Sequence, residues 1–91
     1  MNKSQLIEAL AQKIDIPLRE ASPIAGTILD TMISALAGGN NIEIRGFGSF
    51  VIKEYDSYVG RNPKSGDKIK VPPKRLPFFK VGKELKEQVN G

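Results

Sequence analysis

Between Gly60 and Arg75 the chain carries six basic residues, Arg61, Lys64, Lys68, Lys70, Lys74 and Arg75, against the single acid Asp67. Cations at that density in a turn-rich stretch fit polyanion binding, in which Arg and Lys neutralise phosphates. A second possible chemistry is the carboxylate pair Glu54 and Asp56, two residues apart and so on one face of a strand, where general acid–base work could be done. Strand alternation explains that pair more simply as solvent-facing. The chain has no His and no Cys, which removes the commonest general base, the thiolate nucleophile and most transition-metal ligands. The composition points away from an enzyme, and no metal, cofactor or small-molecule substrate is expected.

A length of 91 residues is one domain, and at this size folding buries only about 60–65% of the surface of the unfolded chain. Without disulfides or a zinc site to staple so small a core, a partner chain is expected. Nothing in the sequence resists a reducing cytoplasm. The longest uncharged runs contain Gly, Pro or Ser, and Lys3, Glu8 and Lys13 interrupt the first apolar pattern. Neither a membrane span nor a signal peptide fits, so an intracellular chain with no membrane insertion is expected. Charge is distributed unevenly: residues 1–44 hold three basic against five acidic groups, a balance of −2, and residues 45–91 hold eleven against five, a balance of +6. Such a split describes a packing half and a half that meets a polyanion, either nucleic acid or a membrane surface.

Lys3 to Ile14 places Leu6, Ile7, Leu10, Ala11 and Ile14 along one side of a helix, with Asn2 and Gln5 as its capping box. After a turn at Asp15-Ile16-Pro17, a second stripe runs through Leu18, Ala21, Ala25, Ile28, Leu29, Met32, Ile33 and Leu36 and stops at Gly38-Gly39. The two helices can form a hairpin. Pro23 leaves two readings open: Ser22 caps a helix with Pro23 at its first position, or a longer helix kinks there. From Ile42 the period changes to two. Ile42 and Ile44 alternate with Glu43 and Arg45, Gly46-Phe47-Gly48 makes a tight turn, and Ser49 to Tyr58 continues as a strand. Phe47, Phe50 and Phe79 are the natural aromatic core. Residues 60–66 are dense in turn formers, and Asp67 to Val71 alternates again with Ile69 and Val71 opposite Lys68 and Lys70. Pro72, Pro73 and Pro77 interrupt the returning strand and restrict it to edges or bulges. Lys80 to Asn90 reads as a short amphipathic helix.

A ribbon from Lys53 to Gly60 and back would project about 25 Å at roughly 3.3 Å per residue, with too few apolar residues for its own core. One account is a solvated edge hairpin whose lysines block strand-to-strand aggregation. The other is a basic ribbon that follows a DNA groove. There Pro63, a rigid ring without an N–H, could wedge into a base step at a cost of a few kcal/mol of unstacking.

Three stretches, Ile44-Arg45-Gly46-Phe47-Gly48-Ser49-Phe50, Gly60-Arg61-Asn62-Pro63-Lys64-Ser65-Gly66 and Pro77 to Lys86, closely resemble the bacterial HU and integration host factor family of DNA-bending proteins, and the resemblance covers essentially the whole chain. It implies an α+β fold: an N-terminal helical hairpin, a three-stranded antiparallel sheet with a long protruding β-ribbon arm, and a short C-terminal helix, in an intertwined dimer. Residues 1–91 would form one domain, with 1–52 and 76–91 as dimer body and 53–75 as DNA-binding arm. The dimer core would include Ile28, Leu29, Met32, Leu36, Ile44, Phe47, Phe50 and Phe79. The implied partner is double-stranded DNA in a bacterial nucleoid, bound in the minor groove and kinked by a tip proline. Residue by residue, Pro63 looks like the intercalating wedge and Arg61 and Asn62 like the minor-groove groups beside it. Lys80, Lys83 and Lys86 look like phosphate clamps on the body, and Lys53, Lys64, Lys68, Lys70, Lys74 and Arg75 supply the basic arm.

Arg45, directly before Gly-Phe-Gly, resembles the beta branch of integration host factor more than a typical HU, which implies some sequence preference and a heterodimer with a related subunit as the alternative to a homodimer. As a simple phosphate grip, Arg45 would carry neither implication. The outgoing strand departs from the family: Lys53-Glu54-Tyr55-Asp56-Ser57-Tyr58-Val59 has two acids and two tyrosines where basic residues are usual, and Tyr55 or Tyr58 could pack on the opposite strand or a sugar face. Two other functions compete. An RNA-binding role would favour aromatic stacking platforms, yet Gly60 to Pro77 contains no aromatic residue. A dimeric protein-interaction module would use the hairpin to augment a partner sheet, without DNA binding.

Overall fold

The computed structural model describes all 91 residues, with element order α1 (Lys3–Lys13), α2 (Leu18–Ala37), β1 (Ile42–Ile44), β2 (Gly48–Tyr55), β3 (Tyr58–Arg61), β4 (Lys68–Val71), β5 (Lys74–Val81) and α3 (Lys83–Asn90). It divides into two compact units, Met1–Gly38 and Gly39–Gly91.

The first unit is a helical hairpin. Asn2 caps α1: its side chain accepts from the Gln5 N–H at 2.8 Å and Gln5 Oε1 accepts from the Asn2 N–H at 3.0 Å, so two of the orphan donors at the helix start are satisfied reciprocally. The helix ends one residue before the expected Ile14. Asp15 takes the left-handed conformation at φ 54°, and the Ile16 N–H returns to the Ala11 carbonyl at 3.0 Å, closing a Schellman turn. Helix α2 runs unbroken through Pro23, which overturns the reading in which Ser22 caps a new helix. Ala11, Ala21 and Ala25 are buried where α1 and α2 meet; small side chains there allow close helix approach.

The second unit holds two antiparallel sheets, a three-stranded one ordered β1-β2-β5 and a two-stranded one, β3-β4. The expected strand from Ser49 to Tyr58 breaks: β2 stops at Tyr55 and β3 starts at Tyr58. Across the break stand Pro72 and Pro73, which lack the N–H groups a continuous ladder would need. Pro77, in contrast, does not interrupt its strand. It lies within β5 opposite Ile52, whose N–H points the other way, to the Asn41 Oδ1 at 3.0 Å. The pair is therefore a non-hydrogen-bonded one, and Pro77 turns its missing donor to the outer side of an edge strand. Strand β4 begins at Lys68 rather than Asp67, and α3 begins at Lys83 rather than Lys80, because Lys80 and Val81 complete β5 by pairing with Ser49 and Gly48.

Register assigns the faces of the larger sheet, since residues directly opposite share a side. One face carries Ile42, Ile44, Phe50, Ile52, Pro77, Phe79 and Val81. Phe79 is its hub, with ring centroids 4.9 Å from Phe50 and 5.2 Å from Phe47 at tilted angles, pairs worth about 0.5–1.5 kcal/mol each beyond their buried area. Gly48 is already in β2, against the expectation that it belongs to the turn, and it has no room for a side chain: a Cβ would lie 2.5 Å from the Lys80 carbonyl oxygen and 2.6 Å from Phe79 Cζ.

Candidate nucleic-acid interface

The other face of the same sheet carries Ser49, Val51, Lys53 and Tyr55 on β2 against Lys80, Phe78, Leu76 and Lys74 on β5. Three of the basic candidates, Lys53, Lys74 and Lys80, thus share one surface. Arg75 does not. It stands on the aromatic-core side opposite Glu54, and its Nη1 lies 3.3 Å from where a Cβ on Gly39 would sit. Two residues outside the basic set belong to the lysine face. Lys53 Nζ is 4.1 Å from the centroid of Phe78, and Lys74 Nζ is 5.8 Å from that of Tyr55. Only the strand register reveals these pairings, because neither is visible as a local motif.

In the β3-β4 ribbon, Tyr58 pairs with Val71 and Gly60 with Ile69, while Val59 pairs with Lys70 and Arg61 with Lys68. One ribbon face is therefore apolar and the other presents Arg61, Lys68 and Lys70 together. Each strand has four residues and spans about 13 Å at roughly 3.3 Å per residue. The β2-β5 ladder reaches the Tyr55–Lys74 pair, so the separate ribbon is shorter than residues 53–75.

At the ribbon end, the Asn62 N–H donates to the Asp67 carbonyl at 2.8 Å and the Gly66 N–H to the Asn62 carbonyl at 2.7 Å. The Asn62 side chain accepts from the Lys64 N–H at 2.9 Å, a local turn that spans Pro63. Ser65 Oγ accepts from the Asp67 N–H at 3.3 Å. Asn62 is half-buried by these bonds, whereas Pro63 and Lys64 are exposed. The result is an exposed, donor-free ring on a hydrogen-bonded base.

Arg45 occupies a corner of the β1-β2 turn, which the Phe47 N–H closes on the Ile44 carbonyl at 3.0 Å. Gly46 follows at φ 84°, a conformation that costs L-residues about 1–2 kcal/mol. A Cβ there would also lie 2.8 Å from Glu84 Oε2. The Gly82 N–H donates to the Phe47 carbonyl at 2.9 Å, tying the turn to the start of α3. On α3, Lys83 and Lys86 lie three residues apart, on neighbouring turns of one side. Of the two carboxylates, Glu54 lies within β2 and Asp56 just beyond its end at Tyr55, so strand alternation does not carry through to Asp56.

Of the apolar candidates, Ile28, Ile44, Phe47 and Phe79 are exposed and Leu29, Met32, Leu36 and Phe50 half-buried in the single chain. No helix is long and apolar enough to cross a membrane.

Comparison with known proteins agrees with this geometry. Residues 1–90 match the family model described as bacterial DNA-binding protein. The chain is 55% identical to the integration host factor subunit beta of Ralstonia nicotianae over 99% of its own length and 66% of that protein's. It is 52% identical to the subunit of the same name from Herminiimonas arsenicoxydans, over 99% of this chain and 90% of the relative. Among solved structures, the Anabaena HU–DNA cocrystal structure aligns with a TM-score of 0.87 at 37% identity, covering 98% of this chain and 97% of the other. HU from Thermotoga maritima aligns with a TM-score of 0.69 at 35% identity, covering 98% of each. The chain belongs to the bacterial DNA-binding protein family that includes HU and the integration host factor subunits.

Proposed function

We propose that this chain is an architectural, histone-like DNA-binding protein that binds duplex DNA in the minor groove as a dimer, bends it by inserting Pro63 from each arm, and works on the cytoplasmic nucleoid. The observation that carries this reading is the ribbon tip: a donor-free ring exposed on a turn fixed by Asn62, beside a ribbon face of Arg61, Lys68 and Lys70. An apolar wedge unstacks a base step while neighbouring cations hold the backbone on either side. In this division of labour, Arg61 and Asn62 lie beside the kink. Lys64, Lys68, Lys70 and Lys74 follow the arm, and Lys53, Lys80, Lys83, Lys86 and Arg45 meet phosphates nearer the body. Residues 53–75 act as the arm, and 1–52 with 76–91 as the dimer body.

The dimer rests on exposure. Only three alanines are buried hydrophobics, and Ile28 and Ile33 are 54% and 63% exposed, which leaves a helix face for a second chain to cover. The second copy makes a homodimer the simplest assembly. The curated relatives named as beta subunits favour an alternative in which the partner is a related subunit of an integration-host-factor-type heterodimer.

The test is a gel-shift titration of the purified chain against intact and nicked duplexes at two salt concentrations. Tight, salt-sensitive binding that prefers the nicked duplex is expected, because a nick meets part of the deformation cost. Equal affinity for both duplexes would remove the bending role, and weak binding by this chain alone that is restored by a related subunit would establish the heterodimer.

A further inference from the structure

We infer that Phe78 and Tyr55 are positioning residues, which hold the ammonium groups of Lys53 and Lys74 over their rings on the sheet face that meets DNA. The inference rests on the DNA-binding reading above and names groups it does not include.

The aromatic core accounts for Phe47 and Phe50, which both pack on Phe79, and for Phe79 itself. It does not account for Phe78, whose register puts it on the opposite face of β5, 40% exposed, with Tyr55 39% exposed on the same face of β2. What each ring does touch is a lysine of the facing strand. Lys53 on β2 reaches diagonally to Phe78 on β5, and Lys74 on β5 stands directly opposite Tyr55 on β2. Both distances, 4.1 and 5.8 Å, fall within the roughly 6 Å over which a ring quadrupole attracts a cation.

A lysine is a compact charge on a flexible stem, and fixing it costs rotamer entropy when it meets a phosphate. A carboxylate would fix it but also neutralise it. A ring fixes it and leaves the charge available to an anion on the far side. Glu54, the acid nearest in sequence to Lys53, is on the other face opposite Arg75, out of competition. The outgoing strand has one lysine where its composition is otherwise acidic and aromatic; the rings make its remaining cation, and the one facing it, count for more.

The experiment is a double-mutant cycle on duplex affinity with wild type, Phe78→Leu, Lys53→Ala and the double variant, paired with NMR of the free proteins. Phe78→Leu should weaken binding about two- to five-fold, Phe78→Tyr should retain it, and the double variant should bind no worse than Lys53→Ala alone. The Lys53 ε-methylene protons should be shifted upfield by the ring in wild type and Phe78→Tyr and return to ordinary values in Phe78→Leu. Tyr55→Leu with Lys74→Ala gives a second, independent cycle should Phe78→Leu fold poorly. Additive cycles, or unshifted lysine protons in wild type, would overturn the inference while leaving salt-sensitive binding by wild type intact. A wild-type protein with no salt-sensitive binding would remove the DNA reading, and this inference with it.

Discussion

The backbone N–H of Lys64 donates to the side-chain oxygen of Asn62 at 2.9 Å, bridging over the intervening Pro63. The bond closes the turn around the proline, and the two backbone bonds of Asn62 to Asp67 and Gly66 anchor that turn to the ribbon. A wedge on a turn closed by such bonds has less conformational freedom to lose on binding than one on an unbonded loop. Replacing Asn62 with Ala keeps the backbone bonds and removes the bridge. The expected result is about three- to ten-fold weaker binding to intact duplex, from the loss of one hydrogen bond worth roughly 1 kcal/mol, read by fluorescence anisotropy.

The two faces of the sheet and ribbon predict a division among the cations. Lys68→Ala and Lys70→Ala should each lower the slope of log affinity against log salt by about 0.9, the value for one phosphate on B-DNA. Arg75→Ala should leave that slope nearly unchanged, because Arg75 stands on the core side opposite Glu54 and beside Gly39. Salt titrations of the three variants decide this, and a slope change for Arg75→Ala equal to the others would place it among the phosphate contacts.

Gly48→Ala tests the packing around Phe79. The added methyl would meet the Lys80 carbonyl and the Phe79 ring inside 3 Å, neither of which can move without disturbing the β2-β5 ladder. A loss of about 2–4 kcal/mol is expected, a fall in melting temperature of roughly 10–25 °C for a domain this small, measured by circular dichroism.

Exposure of Ile28 and Ile33 on α2 predicts a melting temperature that rises with protein concentration, as mass action requires when the folded form is a dimer. Sedimentation equilibrium should give twice the 10.0 kDa of the chain, and Ile28→Asp should shift it to monomer with a lower melting temperature. A concentration-independent melt would contradict the dimer.

The sequence made the local structure legible where short-range chemistry decides it. The Asn2–Gln5 capping box, the change of period at Ile42 and the turn formers around Pro63 each have one physical reading. It did not reveal where the long hairpin breaks. Tyr55 to Tyr58 reads as one strand by propensity, and the break follows from the prolines that face it across the ladder, Pro72 and Pro73, a non-local effect. Lys80 and Val81 fit a helix equally well by pattern and are held in β5 only by their partners on β2. The basic site was legible as composition, since six cations crowd residues 60–75. Its division into faces was not: Lys74 and Arg75, adjacent in β5, point to opposite sides, but which of them shares a face with Lys53 depends on strand register, and the pairing of Lys53 with Phe78 spans two strands.

The most direct test of the bending account is the end-to-end distance of a doubly labelled intact duplex, followed by fluorescence energy transfer as wild-type protein and Pro63→Ala are titrated to saturation. The account predicts that wild type brings the ends together and that Pro63→Ala binds, salt-sensitively, with a much smaller approach of the ends. Saturating binding by wild type that leaves the end-to-end distance unchanged, or an undiminished bend with Pro63→Ala, would contradict it.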